Sequence, residues 1–253
     1  MGGALLKGWL DSRIDATFSV IDPHDIPFTH IDHFRDTAEA AKTLTQTDAV
    51  ILAVKPQIMA AICEALKEHL PGDALLLSIA AGQSLSTYEH YFGSTQPTIR
   101  AMPNTPAAIG KSITVAITNE AVSKDHKALA STLLKTVGKL EWLDDETLMD
   151  AVTALSGSGP AYVFYLIEAL AKAGIETGLP ESLAMKLARQ TVIGAAALAE
   201  TEEQTNAQTL RENVTSPGGT TEAALEVLTD GRIQKLFDEA LSAAKKRSRN
   251  LNI

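Results

Sequence analysis

Short apolar runs punctuate the first 145 residues and then stop, and that change constrains the fold of this chain more than any other feature in it. TFSVI (17–21), AVILAV (49–54), ALLLSIA (74–80), PTIRA (97–101), SITVAIT (112–118) and KLEWL (139–143) are the runs, and in AVILAV and ALLLSIA the hydrophobicity is continuous rather than alternating. Strands read this way when both faces of a parallel sheet lie under helices. Helical patterns fall between them at 36–45, 56–69, 85–92 and 123–136, the last with Ser123 in the N-cap position. From 146 onward the pattern is helical throughout, at 146–155, 160–177, 180–201, 206–214, 220–229 and 231–249. The expected architecture is therefore α/β: a Rossmann-type parallel sheet domain over 1–145, then an all-helical domain over 146–253. Within the second half, MKLARQTVIGAAALA is apolar around much of its circumference and rich in small residues, so it is expected to be buried in its domain or between subunits.

Composition narrows the function classes. The chain has 22 Lys+Arg against 31 Asp+Glu, a net charge of −9, with its basic residues scattered apart from Lys245, Lys246, Arg247 and Arg249. That balance argues against a phosphate-backbone partner, and the basic cluster reads as cations completing a helix C-terminus. Cys63 is the one cysteine, so no disulfide framework is available. No run of 18 apolar residues and no signal-peptide core occur, which predicts a soluble, cytoplasmic protein without a membrane partner. His30 and His33 in THIDH lack a third ligand nearby, so no metal is expected.

The chain opens MGGALLKGWL, with Leu5, Leu6, Trp9 and Leu10 on one stripe of a helix that starts at Gly2. A dinucleotide-binding unit normally sets a buried strand and a Gly-x-Gly turn before such a helix, and here Met1 stands where the turn would be. TFSVID ends in Asp22, twenty residues after Gly2, where an acidic side chain can bond the adenosine ribose hydroxyls; an Asp before Pro23 is also an ordinary turn former. AVILAVKPQ leaves its strand through Ala53, Val54, Lys55 and Pro56, and LLLSIAAGQS through Ala80, Ala81 and Gly82. Ligands of open parallel sheets bind outside such strand ends, where small residues admit a cofactor and Lys55 adds positive charge; taken alone, Ala80-Ala81-Gly82 reads better as a tight strand-to-helix turn.

RAMPNTPAAIG (100–110) brackets Asn104 and Thr105 between two prolines that fix the backbone and leave their side chains to face a cleft; Met102 and Asn104 are expected beside a nicotinamide, with a purely structural loop as the competing account. LSGSGPAY (155–162) and VTSPGGTTEAAL (214–225) are Gly-rich turns feeding helix starts, where free N–H groups hold anions such as carboxylates. In the second, Gly218 and Gly219 shape the turn while Thr220 and Thr221 bring hydroxyls to the first helical turn; a plain cap by Ser216 or Thr220 is the competing account.

AVKPQ, RAMPNTP, LSGSGPAY and VTSPGGTTEAALEVL together resemble the motifs of pyrroline-5-carboxylate reductase, and the resemblance runs from Met1 to the final helix. It implies reduction of 1-pyrroline-5-carboxylate to L-proline, the last step of proline biosynthesis, with NADPH or NADH as cofactor. It also implies a helical domain that interleaves two subunits into a homo-dimer or larger homo-oligomer. Carried over by position, Lys55, Pro56 and Ala81 contact the cofactor, while Asn213, Thr220 and Thr221 border the substrate. Thr221 is then the catalytic candidate: its hydroxyl bonds the ring nitrogen while the Gly218–Thr221 helix start holds the carboxylate, and the proton comes from water.

The departure from the family lies at Met1-Gly2-Gly3, where members have a strand and a glycine-rich turn. The expected consequence is a sheet without its central strand and a reduced pyrophosphate cradle, explained by a translation start at an internal methionine or by truncation. Two rival functions remain. A 3-hydroxyacid dehydrogenase would carry a lysine one turn into the first long helix of the second domain, where this chain has Val163 and no lysine until Lys172. A cofactor-binding oligomer without catalysis is the other.

Overall fold

A computed structural model describes residues 1–251. They form two compact units, Met1–Ser158 joined by the stretch from Ala244 onward, and Gly159–Ala243.

In the first unit, α1 (Gly2–Asp11) turns Leu5, Leu6 and Trp9 inward, as their one-face spacing dictates. Strands β1 (Ser19–Ile21) and β2 (Asp32–Phe34) pair in parallel as a sheet of their own. After the single turn α2 (Ala41–Leu44), the larger sheet gathers β3 (Ala49–Leu52), β4 (Leu75–Ser78), β5 (Thr98–Met102), β6 (Ser112–Thr118) and β7 (Gly138–Trp142) in sequence order. Helices α3 (Met59–Leu66), α4 (Leu85–Phe92) and α5 (Lys124–Lys135) connect them. No ladder joins β1 to β3. Instead α1 packs across that gap: Leu5, Leu6 and Trp9 share one buried cluster with Leu75, Leu77 and Ile99 of the large sheet, against which Phe18, Val20 and Phe28 from the β1 region also pack. A second cluster, with Leu52, Leu76, Met59, Cys63 and Tyr88, covers the opposite face. Apolar layers on both faces explain why β4 is buried at every position and reads as an unbroken apolar run.

The sheet is not purely parallel. β5 and β6 run antiparallel, because the segment from Met102 to Ser112 is shorter than the dozen or so residues a parallel crossover needs. β2 lies in a stretch where no strand was expected, and the helix expected over 36–45 contracts to Ala41–Leu44.

The compact units divide at Ser158/Gly159. Two features tie 146–158 to the sheet: Met149 of α6 (Met149–Val152) is buried beside Leu85, Val115 and Ile117, and Glu146 pairs with Arg100. The second unit holds α7 (Gly159–Glu176), α8 (Glu181–Thr201), α9 (Ala207–Asn213), α10 (Thr220–Leu228) and most of α11 (Arg232–Arg249). Small residues set the α7–α8 approach, where a Cβ on Gly174 would lie 3.3 Å from that of Ala184. Only Ala184 and Ala188 of α8 are buried, and the helix exposes Leu187, Ile193 and Leu198 in the single chain, so of its two expected settings, within its domain or between subunits, the domain alone does not supply the first. The end of α11 carries Lys246, Arg247 and Arg249 in its last turn, as its composition predicted. Among the described residues no helix is long and apolar enough to cross a membrane.

Candidate active site

The ladder register aligns three strand ends: Leu52 lies opposite Ser78, and Ser78 opposite Arg100. The segments carrying Ala53–Pro56, Ile79–Gly82 and Pro103–Asn104 therefore leave the same edge of the sheet. Gly2 joins them, since a Cβ there would sit 2.8 Å from Ala53 Cβ, which restricts the position to glycine. The first intrahelical bonds of α1 run from the Ala4 and Leu5 amides to Met1 O, which leaves the Gly2 and Gly3 amides at the helix start for an anion. Lys55 is exposed and heads a short 3₁₀ turn that begins at Pro56.

The turn after β4 is fixed from outside. Gly82 takes a φ of +69°, and a side chain there would meet Leu251, whose carbonyl accepts from Gln83 Nε2 at 3.4 Å. Ser248 donates to Asp150 Oδ1 at 2.7 Å, so the end of α11 is pinned beside Ala81 and Gly82.

The RAMPNTP segment is a clamp. Asn104 Oδ1 accepts from Ser112 Oγ at 3.0 Å and from the Ile113 amide at 3.2 Å, while Nδ2 donates to Ser156 O at 3.1 Å. Its buried side chain is thus committed to joining β6 and the LSGSG turn, rather than pointing at a cofactor as the sequence reading placed it. Met102 packs where a side chain on Gly157 would be, so this pair brings two of the four motifs together. Beneath them Glu146 Oε1 accepts from Arg100 Nη1 at 2.7 Å and from the Leu85 amide at 2.9 Å, which satisfies a buried guanidinium and a helix start at once.

Asp22 directly follows β1 and is half-buried, with its carboxylate held below its usual range by the His24 amide. Burial pushes the Cys63 thiol up to about 11, which makes it an inert core residue. Among the described residues no group of three His, Cys, Asp or Glu could hold a metal ion.

In the second unit, the TSPGGTT turn is shaped by Gly218 at φ +69° and leads into α10 with Gly219 as N-cap. No side chain caps this helix, so neither Ser216 nor Thr220 plays the plain capping part. Sequence reasoning missed Glu222, whose Oε2 accepts from the Gly218 amide at 2.7 Å. The signal for it was an acidic residue three places after the N-cap. The Gly219 amide donates to Ser216 O at 2.9 Å. Of the four residues expected to hold a carboxylate, Gly218 and Gly219 therefore have their amides engaged, and Thr220 and Thr221 present theirs in the first helical turn. Thr221 is half-buried; Asn213, the last residue of α9, is exposed.

These features define a class: a nucleotide-binding α/β unit, with its ligand edge at the strand ends, in one chain with an all-helical unit. The comparisons narrow it. The family described as pyrroline-5-carboxylate reductase dimerisation matches residues 146–251, and NADP oxidoreductase, coenzyme F420-dependent, matches 1–82. The pyrroline-5-carboxylate reductase of Pseudomonas aeruginosa is 43% identical over 221 residues, covering 87% of this chain and 80% of that protein. The solved structure of the enzyme from Coxiella burnetii aligns with a TM-score of 0.89 at 35% identity, covering 99% of this chain and 94% of that one. That of Plasmodium falciparum, described with NADP bound, gives 0.87 at 28% identity, with 100% and 95% covered. The chain belongs to the pyrroline-5-carboxylate reductase family.

Proposed function

We propose that the chain reduces 1-pyrroline-5-carboxylate to L-proline with NADPH or NADH, completing proline biosynthesis. The observation that carries this reading is that a relative of this name, 43% identical, matches 87% of the chain. Gly2 and Ala53 fit the cofactor: the helix start approaches the strand end so closely that only hydrogen fills the Gly2 side-chain position. Bound NAD(P)H supplies a hydride. Gly2 and Gly3 amides hold its pyrophosphate, Lys55 adds charge, and Val54, Pro56, Ala81 and Met102 border it, while Asn104 fixes the loop.

On the helical unit, the Thr220 and Thr221 amides hold the substrate carboxylate and the helix dipole favours it. Asn213 and the Gly218–Gly219 turn border the ring. Thr221 hydroxyl hydrogen-bonds the ring nitrogen, and water supplies the proton. An iminium is already electrophilic, so orientation and electrostatics suffice and no nucleophile or metal is called for. Val163, where a 3-hydroxyacid dehydrogenase would place lysine, supports imine over carbonyl chemistry.

The helical unit also serves as the oligomerisation surface of at least a homo-dimer, since Phe164, Tyr165, Leu187 and Leu236 stand exposed in the single chain. With its one cysteine buried, the protein suits a reducing cytoplasm. Loss of NADH or NADPH absorbance on adding 1-pyrroline-5-carboxylate, with L-proline as product, tests the activity; no turnover with either nucleotide overturns it. Thr221→Val is expected to cost about 1.5–3 kcal/mol in kcat/KM, the range for a hydrogen bond to a charged partner, while nucleotide affinity holds. Unchanged kcat/KM removes Thr221 from the site.

A further inference from the structure

The loop after β1 carries a charge pattern that reduction as such does not use. Residues 19–36 hold four aspartates, Asp22, Asp25, Asp32 and Asp36, and one permanent cation, Arg35. That cation is taken: Arg35 Nη2 lies 2.5 Å from Asp25 Oδ1, and Nη1 donates to Pro23 O at 3.2 Å. Asp22 is held at the strand end by its amide, which donates to Phe34 O at 3.0 Å, and its Oδ1 accepts from the His24 amide at 2.9 Å. The ring of His33 is likewise committed, with Nε2 2.8 Å from Asp22 O. Phe28 of the same loop comes within 3.9 Å of the Cβ position of Gly3, which puts this loop beside the start of α1.

A dinucleotide on such an edge sets its adenosine ribose against the residue that ends the strand after the first helix. A carboxylate there accepts from the ribose hydroxyls, whereas a 2′-phosphate needs an arginine that is free to form a bidentate pair. This loop presents ionised acids and a neutralised arginine. We propose that Asp22 makes the cofactor site select NADH over NADPH, with Asp25 reinforcing the choice by occupying Arg35. The proposal rests on the reading of these strand ends as a nicotinamide-dinucleotide site.

Calorimetric titration of the full chain with NADH and NADPH, and with ADP-ribose and its 2′-phosphate, tests the selection without turnover. The phosphate-free ligand of each pair is expected to bind tighter by on the order of tenfold or more, as follows from placing like charges together in a binding site. Asp22→Asn, which keeps the side-chain volume, should bring the two affinities together. Asp25→Asn should release Arg35 and tighten NADPH while leaving NADH binding in place. Tighter NADPH binding by the native chain, or an affinity ratio unmoved by Asp22→Asn in a folded protein, overturns the role of Asp22 and leaves the dinucleotide site standing. Binding of neither nucleotide overturns that site and this proposal together.

Discussion

The two units solve the burial problem differently. The sheet unit encloses large side chains of its own: Leu75, Leu76, Leu77, Ile99 and Leu134 are each 0% exposed. In the helical unit the buried apolar residues are Ala171, Ala184 and Ala188, while Phe164 and Tyr165 stand 60% and 67% exposed. One sequence thus holds a unit whose core is complete in the monomer and a unit whose apolar surface calls for a second copy. Stability in the first is expected to be a property of the chain, and in the second a property of concentration.

Matched truncations test this most strongly. Leu76→Ala removes a fully enclosed side chain and is expected to cost about 2–5 kcal/mol, the range for opening a core cavity. Its denaturant midpoint should fall by the same amount at every protein concentration. Leu187→Ala deletes a side chain that is 48% exposed in the single chain, so its effect should appear as weaker association, largest on dilution and measurable by sedimentation. A concentration-independent loss at Leu187 equal to that at Leu76 would break the comparison.

The same asymmetry decides what could be read from the sequence. β3, β4 and β6 were legible because a strand enclosed on both faces writes an unbroken apolar run, and the long helices α7, α8 and α11 because sequence periodicity survives whatever covers the face. β2 was not legible, since Asp32, His33 and Phe34 contain no such run and pair only with the three residues of β1. The attachment of 146–158 to the sheet was not legible either: Glu146 and Met149 are held through Arg100 and Val115, contacts that no local pattern encodes. In the site, the glycine turns and small strand-end residues were visible as motifs. The commitments of Asn104 to Ser112 and Ser156, and of Ser248 to Asp150, were not, because they join residues far apart in sequence.

Alkali should separate the units by a smaller margin. Burial pushes the Tyr88 phenol from 10.0 up to about 12 and the Cys63 thiol from 9.0 up to about 11, and both belong to the cluster on one face of the large sheet. Each group is neutral when protonated and each folded value lies above the unfolded one. Their stabilisation is therefore complete below pH 9 and is lost as pH rises through about 11 for the thiol and 12 for the phenol. The slope is at most about 1.4 kcal/mol per pH unit for each group. Near-ultraviolet circular dichroism of the sheet unit should change first, and Tyr88→Phe should flatten the part of the loss between pH 10 and 12. An unchanged slope in that variant would remove Tyr88 as a cause.

The smallest effect gives the closest control, because the same device occurs in both units. Ser123 caps α5 by accepting from the His126 amide at 3.1 Å, and Asn206 caps α9 by accepting from the Thr209 amide at 2.9 Å. Each bond satisfies one amide that the first helical turn leaves without a partner, so Ser123→Ala and Asn206→Ala should each cost about 1 kcal/mol. Equal chemistry then reports on unequal surroundings. α5 packs Ala130, Leu133 and Leu134 into a core the chain already has, so the Ser123→Ala loss should be the same at any dilution. α9 buries no residue in the single chain, so the Asn206→Ala loss should either stay local, read as faster amide exchange in 207–213, or grow where subunits dissociate. Amide exchange at two protein concentrations measures both. If α9 in Asn206→Ala loses protection to the same extent as α5 in Ser123→Ala, and neither responds to dilution, the helical unit is as self-sufficient as the sheet, and the exposed faces of α7 and α8 need no partner.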